Sequence, residues 1–257
     1  MSIGIFDSGI GGLTVFKEIS KEFPNADIYY LGDTARVPYG NKSKETVIRY
    51  SLEAANYLKS FGIDALIVAC NTASSYALDI LKNILDIPVV GVIEPGVEVA
   101  VRYTKNKKVG VIGTSATIKS GSYRKLLERN NLRAYQKPCP LFVPLVEEGI
   151  VEGQIAELVV REYLDELVAE GIDTLILGCT HYPLLKKTIK KLYPQLKIVD
   201  SSQAIAEFLH RENLRFNGSG LRKIFITDES ESFERFKRVL IGDVPLKKID
   251  LSKLCTL

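Results

Sequence analysis

Long hydrophobic runs, a basic leader and blocks of like charge are all missing from the sequence. The apolar runs, such as ALIVAC at 65–70, are strand-sized and fall short of the ~18 residues that a membrane-spanning helix needs. No Lys or Arg precedes Lys17, so the basic start of a secretory signal peptide is also lacking. These absences predict a cytoplasmic protein without a membrane partner.

Charge and composition exclude further classes of protein. The 34 Lys and Arg residues and the 31 Asp and Glu residues are spread along the chain and leave a net charge of +3. A nucleic-acid-binding protein usually concentrates its basic residues, so we expect no nucleic-acid partner. The hydrophobic fraction of 46% is typical of a globular protein, and 257 residues suffice for one large α/β domain or two smaller ones.

Paired cysteine motifs are lacking too, because none of the four cysteines forms a Cys-x-x-Cys pair. In a reducing compartment this spacing predicts neither structural disulfides nor a metal site. Cys139 and Cys255 do not end an apolar strand in a polar cluster, so we interpret them as inert thiols. Cys70 and Cys179 do, where a strand meets a predicted helix whose N-terminal amides favour a thiolate.

Cofactor-binding motifs are the last absence. The glycines after Asp7 fail the G-x-G-x-x-G pattern at Thr14, and the chain has no G-K-[S/T]. No motif for a pyridoxal-binding lysine is recognisable either. We therefore predict that the protein uses no cofactor.

Short β-branched runs alternate with amphipathic stretches along the chain. Residues 43–61 show apolar residues at helical spacing and precede Gly62, a candidate helix C-cap. The alternation of strands and helices predicts parallel sheets with right-handed crossovers, and strands that are apolar throughout predict helices on both faces. The predicted strands cover residues 3–6, 27–31, 64–69, 89–93, 108–112, 173–178, 196–199 and 223–227.

An internal repeat is the most informative feature. GIDALIVACNTAS at 62–74 matches GIDTLILGCTHYP at 171–183 with Cys70 opposite Cys179, and IGIFDSG at 3–9 resembles VGVIGTS at 109–115. Two matched units at nearly the same offset indicate duplication of a half-domain. The repeat predicts an α/β fold with two similar doubly wound domains, mainly parallel sheets and pseudo-twofold symmetry.

Ligands of such sheets bind beyond the carboxyl ends of the strands, so we expect the active site in the cleft between the domains. Cys70 and Cys179 then enter this cleft from opposite sides. The first strand of each half and the first cleft loop add further polar residues to the rim. These are Asp7, Ser8, Pro38, Tyr39, Gly40, Thr114 and Ser115.

Two thiols in one cleft have two uses. Joined as a disulfide, with sulfurs ~2.0 Å apart, they form a redox switch. Placed ~3 to 3.5 Å from one carbon on opposite faces, they act as base and acid and invert a stereocentre. The flanking hydroxyls, amide, carboxylate and imidazole favour the second use, because a small zwitterion needs such groups and a redox dithiol does not.

Each polar candidate has a structural alternative. Asp7 is either a helix N-cap or a carboxylate that orients a substrate ammonium or raises thiol basicity. His181, directly after Cys179 and Thr180, is favoured as a general acid or as a group that stabilises a thiolate. No local signal separates Glu147 from Glu148. Ordinary helix caps remain the alternative for Ser8, Asn71, Thr72 and Thr180.

Four motifs together resemble the glutamate racemases of the aspartate/glutamate racemase family. They are DSGIGGLTV at 7–15, PYG at 38–40, CNTAS at 70–74 and GCTHYPLL at 178–185. The resemblance implies a cofactor-independent isomerase that interconverts L- and D-glutamate, with Cys70 and Cys179 acting on opposite faces of the α-carbon. It also implies a homodimer that supplies D-glutamate for peptidoglycan synthesis.

The same resemblance assigns further site residues. It implies auxiliary acid/base roles for Asp7, Glu147 and His181. The repeat predicts residues 1–95 with 210–257 as the first domain and 96–209 as the second, and the family architecture returns the segment from Arg215 onward, which matches no usable motif, to the first domain. The implied substrate contacts are Asp7, Ser8, Pro38, Tyr39, Gly40, Asn71, Thr72, Thr114, Thr117, Thr180 and His181.

Three other functions stay open at this point. An aspartate racemase uses the same two thiols, and the sequence does not reveal the cleft depth that sets substrate length. A ligand-binding protein without catalysis keeps the cleft but does not require both cysteines. A dithiol redox protein pairs them. Which cysteine acts on which enantiomer is open as well.

Overall fold

The computed structural model describes residues 2–212, 214 and 216–255 and shows two parallel β-sheets. In these residues the first sheet has the spatial order β10 (Leu246–Lys248), β9 (Arg222–Ile226), β2 (Asp27–Gly32), β1 (Ser2–Asp7), β3 (Ala65–Val68), β4 (Val89–Gly91). The second has the order β6 (Arg133–Pro138), β5 (Lys108–Gly113), β7 (Thr174–Gly178), β8 (Lys197–Asp200). None of the helices described is long and apolar enough to cross a membrane.

Helices connect these strands. The predicted helix at 43–61 is confirmed, because the hydroxyl of Ser43 accepts a hydrogen bond from Thr46 N at 3.2 Å and the helix ends shortly before Gly62. Gly62 has a φ of +69°, the left-handed conformation that favours glycine after a helix. The helices are α1 (Leu13–Glu22), α2 (Lys44–Lys59), α3 (Asn71–Tyr76), α4 (Leu78–Ile84), α5 (Ile93–Tyr103), α6 (Ser115–Ser120), α7 (Ser122–Arg129), α8 (Phe142–Glu147), α9 (Gln154–Ala169), α10 (Lys186–Leu192), α11 (Ser201–Arg211), α12 (Glu231–Ile241) and α13 (Ser252–Cys255), with short 3-10 helices at Tyr39–Asn41 and Tyr182–Leu185.

The central strands are buried on both faces, as their apolar sequences predict. Successive side chains of a strand point to opposite faces. In β1, Ile5 therefore shares a buried cluster with Phe16 of α1, whereas Phe6 shares a different one with Val47 and Leu58 of α2. Helices cover the sheet on both sides, which confirms the doubly wound α/β architecture.

The two sheets repeat one topology. β1 lies between β2 and β3 with β4 beyond, and β5 lies between β6 and β7 with β8 beyond. The repeated segments 62–74 and 171–183 contain β3 and β7, which occupy equivalent positions. This arrangement agrees with the pseudo-twofold relation predicted from the repeat. The C-terminal segment adds β9, parallel to β2, and β10 to the free edge of the first sheet.

The structure differs from the predicted elements at the sheet edges. The strand predicted at 89–93 ends at Gly91, and Ile93 already begins α5. The sequence pattern predicts neither β6 nor β10. Both lie at an edge and their residues are half-buried or exposed, so their sequences, RAYQKP and LKK, contain no apolar run.

Candidate active site

The carboxyl ends of the strands in both sheets meet around a small enclosed cavity. Cys70 follows β3 and Cys179 follows β7, so the two cysteines of the repeat reach the cavity from opposite halves of the chain. Both are free, buried thiols. The cavity is lined by Ser8, Val37, Pro38, Tyr39, Gly40, Cys70, Asn71, Thr72, Thr114, Val143, Cys179, Thr180 and His181.

Cys70 lies in an environment that favours the protonated thiol. Its Sγ donates a hydrogen bond to Ser8 Oγ at 3.5 Å. Burial, followed by the negative charge of Asp7, raises the pKa of Cys70 to about 12. The prediction that the start of α3 favours a thiolate at Cys70 is wrong. Burial removes the hydration of the thiolate, and this cost exceeds the stabilisation that the N-terminal amides of the short helix α3 provide. At neutral pH Cys70 carries its proton.

Cys179 lies beside a chain of polar groups that Cys70 lacks. His181 Nδ1 is 3.8 Å from Cys179 Sγ, and His181 Nε2 is 3.1 Å from Glu147 Oε1. Burial by itself lowers the pKa of His181, but its hydrogen bonds to Cys179 and Glu147 and the charges of both groups raise the pKa to about 10. The resulting imidazolium lies between the sulfur of Cys179 and the carboxylate of Glu147.

Asp7 is fully buried behind the cavity wall and joins the two halves. Its Oδ2 accepts a hydrogen bond from Gly9 N at 2.9 Å, and its Oδ1 accepts one from Thr180 Oγ1 at 3.2 Å. Burial raises the pKa of Asp7, and the charge of His181 and these hydrogen bonds offset only part of that rise. Asp7 therefore affects the cavity by binding Thr180 and by raising the pKa of Cys70.

The loop after β2 carries Pro38, Tyr39 and Gly40 to the cavity, and Asp33 holds it. Tyr39 donates its hydroxyl hydrogen to Asp33 Oδ2 at 2.5 Å, and Arg36 Nε lies 2.7 Å from the same oxygen. Thr227, directly after β9, donates to Asp33 Oδ1 at 3.0 Å. Asp33 has no accessible surface, so its charge is balanced within the protein.

Hydroxyl groups close the cavity between the two halves. Thr72 Oγ1 lies 2.9 Å from Thr114 Oγ1 and 3.1 Å from Thr117 Oγ1, and the two latter hydroxyls are 3.0 Å apart. Tyr76 of the first half donates to the carbonyl oxygen of Ala116 at 3.0 Å. Thr117 is the fully buried member of this trio and does not line the cavity itself.

The structure thus brings nearly all predicted site residues to one place. Asp7, Thr117 and Glu147 lie one layer behind the lining, and Glu147, not Glu148, contacts His181. Cys139 is buried and separate from the cavity, and the side chain of Cys255 lies outside the described part of the structure. The described residues contain no group of His, Cys, Asp and Glu that fits a metal ion.

Sequence reasoning missed four residues of this region. Val37 and Val143 line the cavity as apolar neighbours, and Asp33 and Tyr123 hold lining residues in place. Asp33 begins the loop that contains the PYG motif, which is a usable signal. Nothing in the local sequence of Tyr123 indicates its role, because its partner lies 52 residues away.

Comparison with known proteins identifies the family. Residues 9–209 match the Asp/Glu/Hydantoin racemase family. The chain is 70% identical over 259 residues to the glutamate racemase of Persephonella marina, with 100% of both chains covered. The structure of glutamate racemase from Aquifex pyrophilus is 54% identical with a TM-score of 0.86, and the match covers 96% of this chain and 98% of that chain.

A further solved structure, glutamate racemase from Francisella tularensis in complex with D-glutamate, is 38% identical with a TM-score of 0.89 and 97% of each chain covered. These matches confirm the resemblance that the four motifs carry. The matches to the relative from Persephonella marina and to the solved structures also cover the segment after Arg215, to which the motifs assign no role. The chain belongs to the Asp/Glu/Hydantoin racemase family and is therefore an amino-acid racemase, an isomerase.

Proposed function

We propose that the protein interconverts L- and D-glutamate by proton transfer between two cysteines, without a cofactor. One thiolate takes the α-proton from one face and forms an S–H bond. The electron pair of the broken C–H bond stays on the α-carbon as a carbanion. The other thiol then donates a proton to the opposite face and inverts the stereocentre. The observation that carries the proposal is that Cys70 and Cys179 line one cavity from opposite halves.

The surroundings of the two sulfurs support different starting states. The Cys70 thiol is protonated at neutral pH and serves as the acid, so in a two-thiol mechanism the base is Cys179. His181 lies 3.8 Å from Cys179 Sγ and 3.1 Å from Glu147 Oε1, and both contacts raise the pKa of its imidazole. The opposite enantiomer requires the opposite pair of states.

The donors around the cavity support an amino acid with two carboxylates as substrate. Ser8, Asn71, Thr72, Thr114 and Thr180 supply hydroxyl or amide donors, and the loop of Pro38, Tyr39 and Gly40 closes one wall. Thr117 supports Thr72 and Thr114, and Asp7 supports Thr180. Each relative named above is a glutamate racemase, which favours glutamate over aspartate, the shorter alternative.

Further parts of the proposal concern assembly and role. Domain boundaries at 1–95 with 210–257 and at 96–209 are supported by the sheets, because the strands of the first lie within 2–91 and 222–248 and those of the second within 108–200. A cytoplasmic homodimer that supplies D-glutamate for peptidoglycan synthesis completes the proposal. Sedimentation analysis of the purified protein tests the dimer.

The decisive experiment incubates the protein with L-glutamate in heavy water and follows optical activity and α-proton exchange. With two separate bases, deuterium appears first in the D-glutamate formed and not in the remaining L-glutamate. Cys70→Ser and Cys179→Ser should each lose racemisation by several orders of magnitude while still folding, because a hydroxyl is far less acidic than a thiol. Near-normal racemisation by Cys179→Ser would refute the mechanism.

Matched controls accompany this experiment. Cys139→Ser changes a buried thiol outside the cavity and should retain activity. L-aspartate replaces L-glutamate in a parallel assay, and faster turnover of aspartate would favour the alternative substrate. Metal-stripped, dialysed protein should remain active, and loss of activity that an added metal restores would contradict cofactor independence. A disulfide between Cys70 and Cys179 in active protein would favour the redox alternative.

A further inference from the structure

One amide beside the catalytic thiols is only half satisfied. Asn71 follows Cys70 directly, lines the cavity and is 2% exposed. Its Oδ1 accepts a hydrogen bond from the Tyr123 hydroxyl at 2.7 Å, whereas its Nδ2 has no hydrogen-bond partner among the described residues. An unpaired buried donor destabilises a protein, so this N–H group indicates a ligand.

Tyr123 comes from the other half of the molecule and is held in one position. It lies on α7, is fully buried, and packs so closely against β7 that a Cβ at Gly178 would lie 3.1 Å from its Cε2 atom. Burial holds the pKa of Tyr123 well above its usual value, so the hydroxyl keeps its hydrogen. Within the described residues this hydrogen goes to Asn71 Oδ1 alone.

Because the Tyr123 hydroxyl donates its hydrogen, it must face the oxygen of the Asn71 amide. The NH₂ group of the amide then remains free to donate to a ligand. The reversed amide would present a carbonyl oxygen in place of the unpaired donor, and a carbonyl oxygen repels a carboxylate. The hydrogen bond also joins the two halves across the cleft, since Asn71 belongs to α3 and Tyr123 to α7. The hydrogen bond that orients the amide therefore also links the two halves.

We propose that Tyr123 is a positioning residue that fixes the Asn71 amide so that Nδ2 donates a hydrogen bond to a carboxylate oxygen of the substrate. The proposal rests on the proposed function, because the ligand is the amino acid that the enzyme racemises. It assigns to Tyr123 a contribution to substrate affinity and none to proton transfer. The effect of Tyr123 on catalysis therefore passes entirely through Asn71.

A double-mutant cycle tests this dependence with Tyr123→Phe, Asn71→Ala and the double variant, all checked for folding by circular dichroism. Tyr123→Phe should raise KM for both enantiomers about tenfold and change kcat less than about threefold. In the Asn71→Ala background the same substitution should change KM less than about twofold. Equal effects of Tyr123→Phe in both backgrounds, or a loss confined to kcat, would overturn the proposal.

Two further variants keep the result interpretable. Tyr193→Phe is the control. The Tyr193 hydroxyl donates to Asp165 Oδ1 at 2.5 Å in a partly buried hydrogen bond before β8, and Tyr193 does not line the cavity, so its substitution should leave KM unchanged. Asn71→Asp keeps the acceptor for Tyr123 but replaces the donor by an oxygen, so it should raise KM at least as much as Asn71→Ala. An Asn71→Asp protein with normal KM contradicts the proposal even if Tyr123→Phe fails to fold.

The cycle also separates this proposal from the proposed function. It is run with whichever acidic amino acid the wild-type protein racemises. If the wild type racemises neither glutamate nor aspartate, the proposed function fails and this inference fails with it. If the wild type is active and the cycle is additive, only the role of Tyr123 is wrong.

Discussion

Cys70 and Cys179 end matching strands of the repeat, yet their electrostatic surroundings differ. Cys70 meets a neutral hydroxyl and the negative charge of Asp7, whereas Cys179 meets an imidazolium. Cys179 and Glu147, which reaches the imidazole from α8, both raise the pKa of His181. The repeated strands place the two sulfurs at equivalent positions, and the polar groups around each sulfur differ.

The pKa of His181 predicts a pH-dependent contribution to stability. It lies near 10 in the folded protein and near 6.5 in the unfolded chain, so the imidazolium contributes fully below about pH 6.5. The contribution shrinks as the pH rises and is lost above about pH 10. In wild-type protein the free energy of unfolding should therefore fall over this range, and His181→Asn should lack that part of the fall. Urea unfolding at several pH values measures it.

The comparison between proteins is needed because Cys70 adds its own decrease. Its pKa is raised from 9 to about 12. Above pH 9 the thiol therefore ionises in the unfolded chain but not in the folded protein, and the free energy of unfolding falls in wild type and variant alike. His210→Asn, which replaces the exposed second histidine, is the matched control. Identical slopes for wild type and His181→Asn between pH 6.5 and 9 would contradict the charge assignment.

At the scale of elements, the C-terminal strand β9 determines how the loop after β2 is held. Thr227 follows β9 and reaches Asp33, which in turn binds Arg36 and Tyr39. A second pair of hydrogen bonds joins Thr34 and Asp228. The segment after Arg215, which carries no motif, thus supports the wall of the cavity that contains Tyr39.

Asp33→Asn should destabilise the protein by about 3 kcal/mol, because it removes one partner of a buried ion pair and leaves Arg36 with Glu53 alone. The midpoint of urea denaturation measures this. The matched control is Asp228→Asn, which makes the same substitution in an exposed ion pair with Lys248 and should shift the midpoint far less. Equal shifts in the two variants would show that Asp33 does not hold the loop.

At the scale of the whole molecule, the cleft is closed. The cavity between the thiols has a volume of about 20 Å³, which is room for about one water molecule. Hydrogen bonds from Thr72 to Thr114 and from Tyr76 to Ala116 join the two halves beside it. An amino acid is larger than this cavity, so we expect the halves to move apart to admit the substrate and to exclude water from the reacting carbon when they close.

Gly40→Ala tests whether full closure is needed. A Cβ at Gly40 would lie 2.5 Å from Thr114 Cβ, closer than real contacts allow, so the halves should stop short of the closed position. A displacement of about 1 Å should lower kcat about 10²-fold with the fold intact. Steady-state kinetics measures the loss, and X-ray scattering should show a larger radius of gyration with substrate bound. Asn41→Ala, at the adjacent exposed position, is the control, and normal kcat in Gly40→Ala would contradict the model of closure.

The sequence by itself determined the α/β class, the repeat, the central strands and the two cysteines. These features are local, because a buried strand requires a continuous apolar run and a site at its end requires polar residues directly after it. Cys70 and Cys179 meet both conditions, and so do Asn71, Thr72, Thr180 and His181. Motifs of a few residues were therefore enough to locate most of the candidate site.

Only the tertiary structure decided which distant residues support that site. The choice of Glu147 over Glu148, the buried charge of Asp33 and the contact of Tyr123 with Asn71 each depend on elements far apart in the chain. The edge strands β6 and β10 carry little apolar signal because they pair at the rim of a sheet. The protonation of Cys70 follows from its burial, which the packing of elements distant in the chain creates.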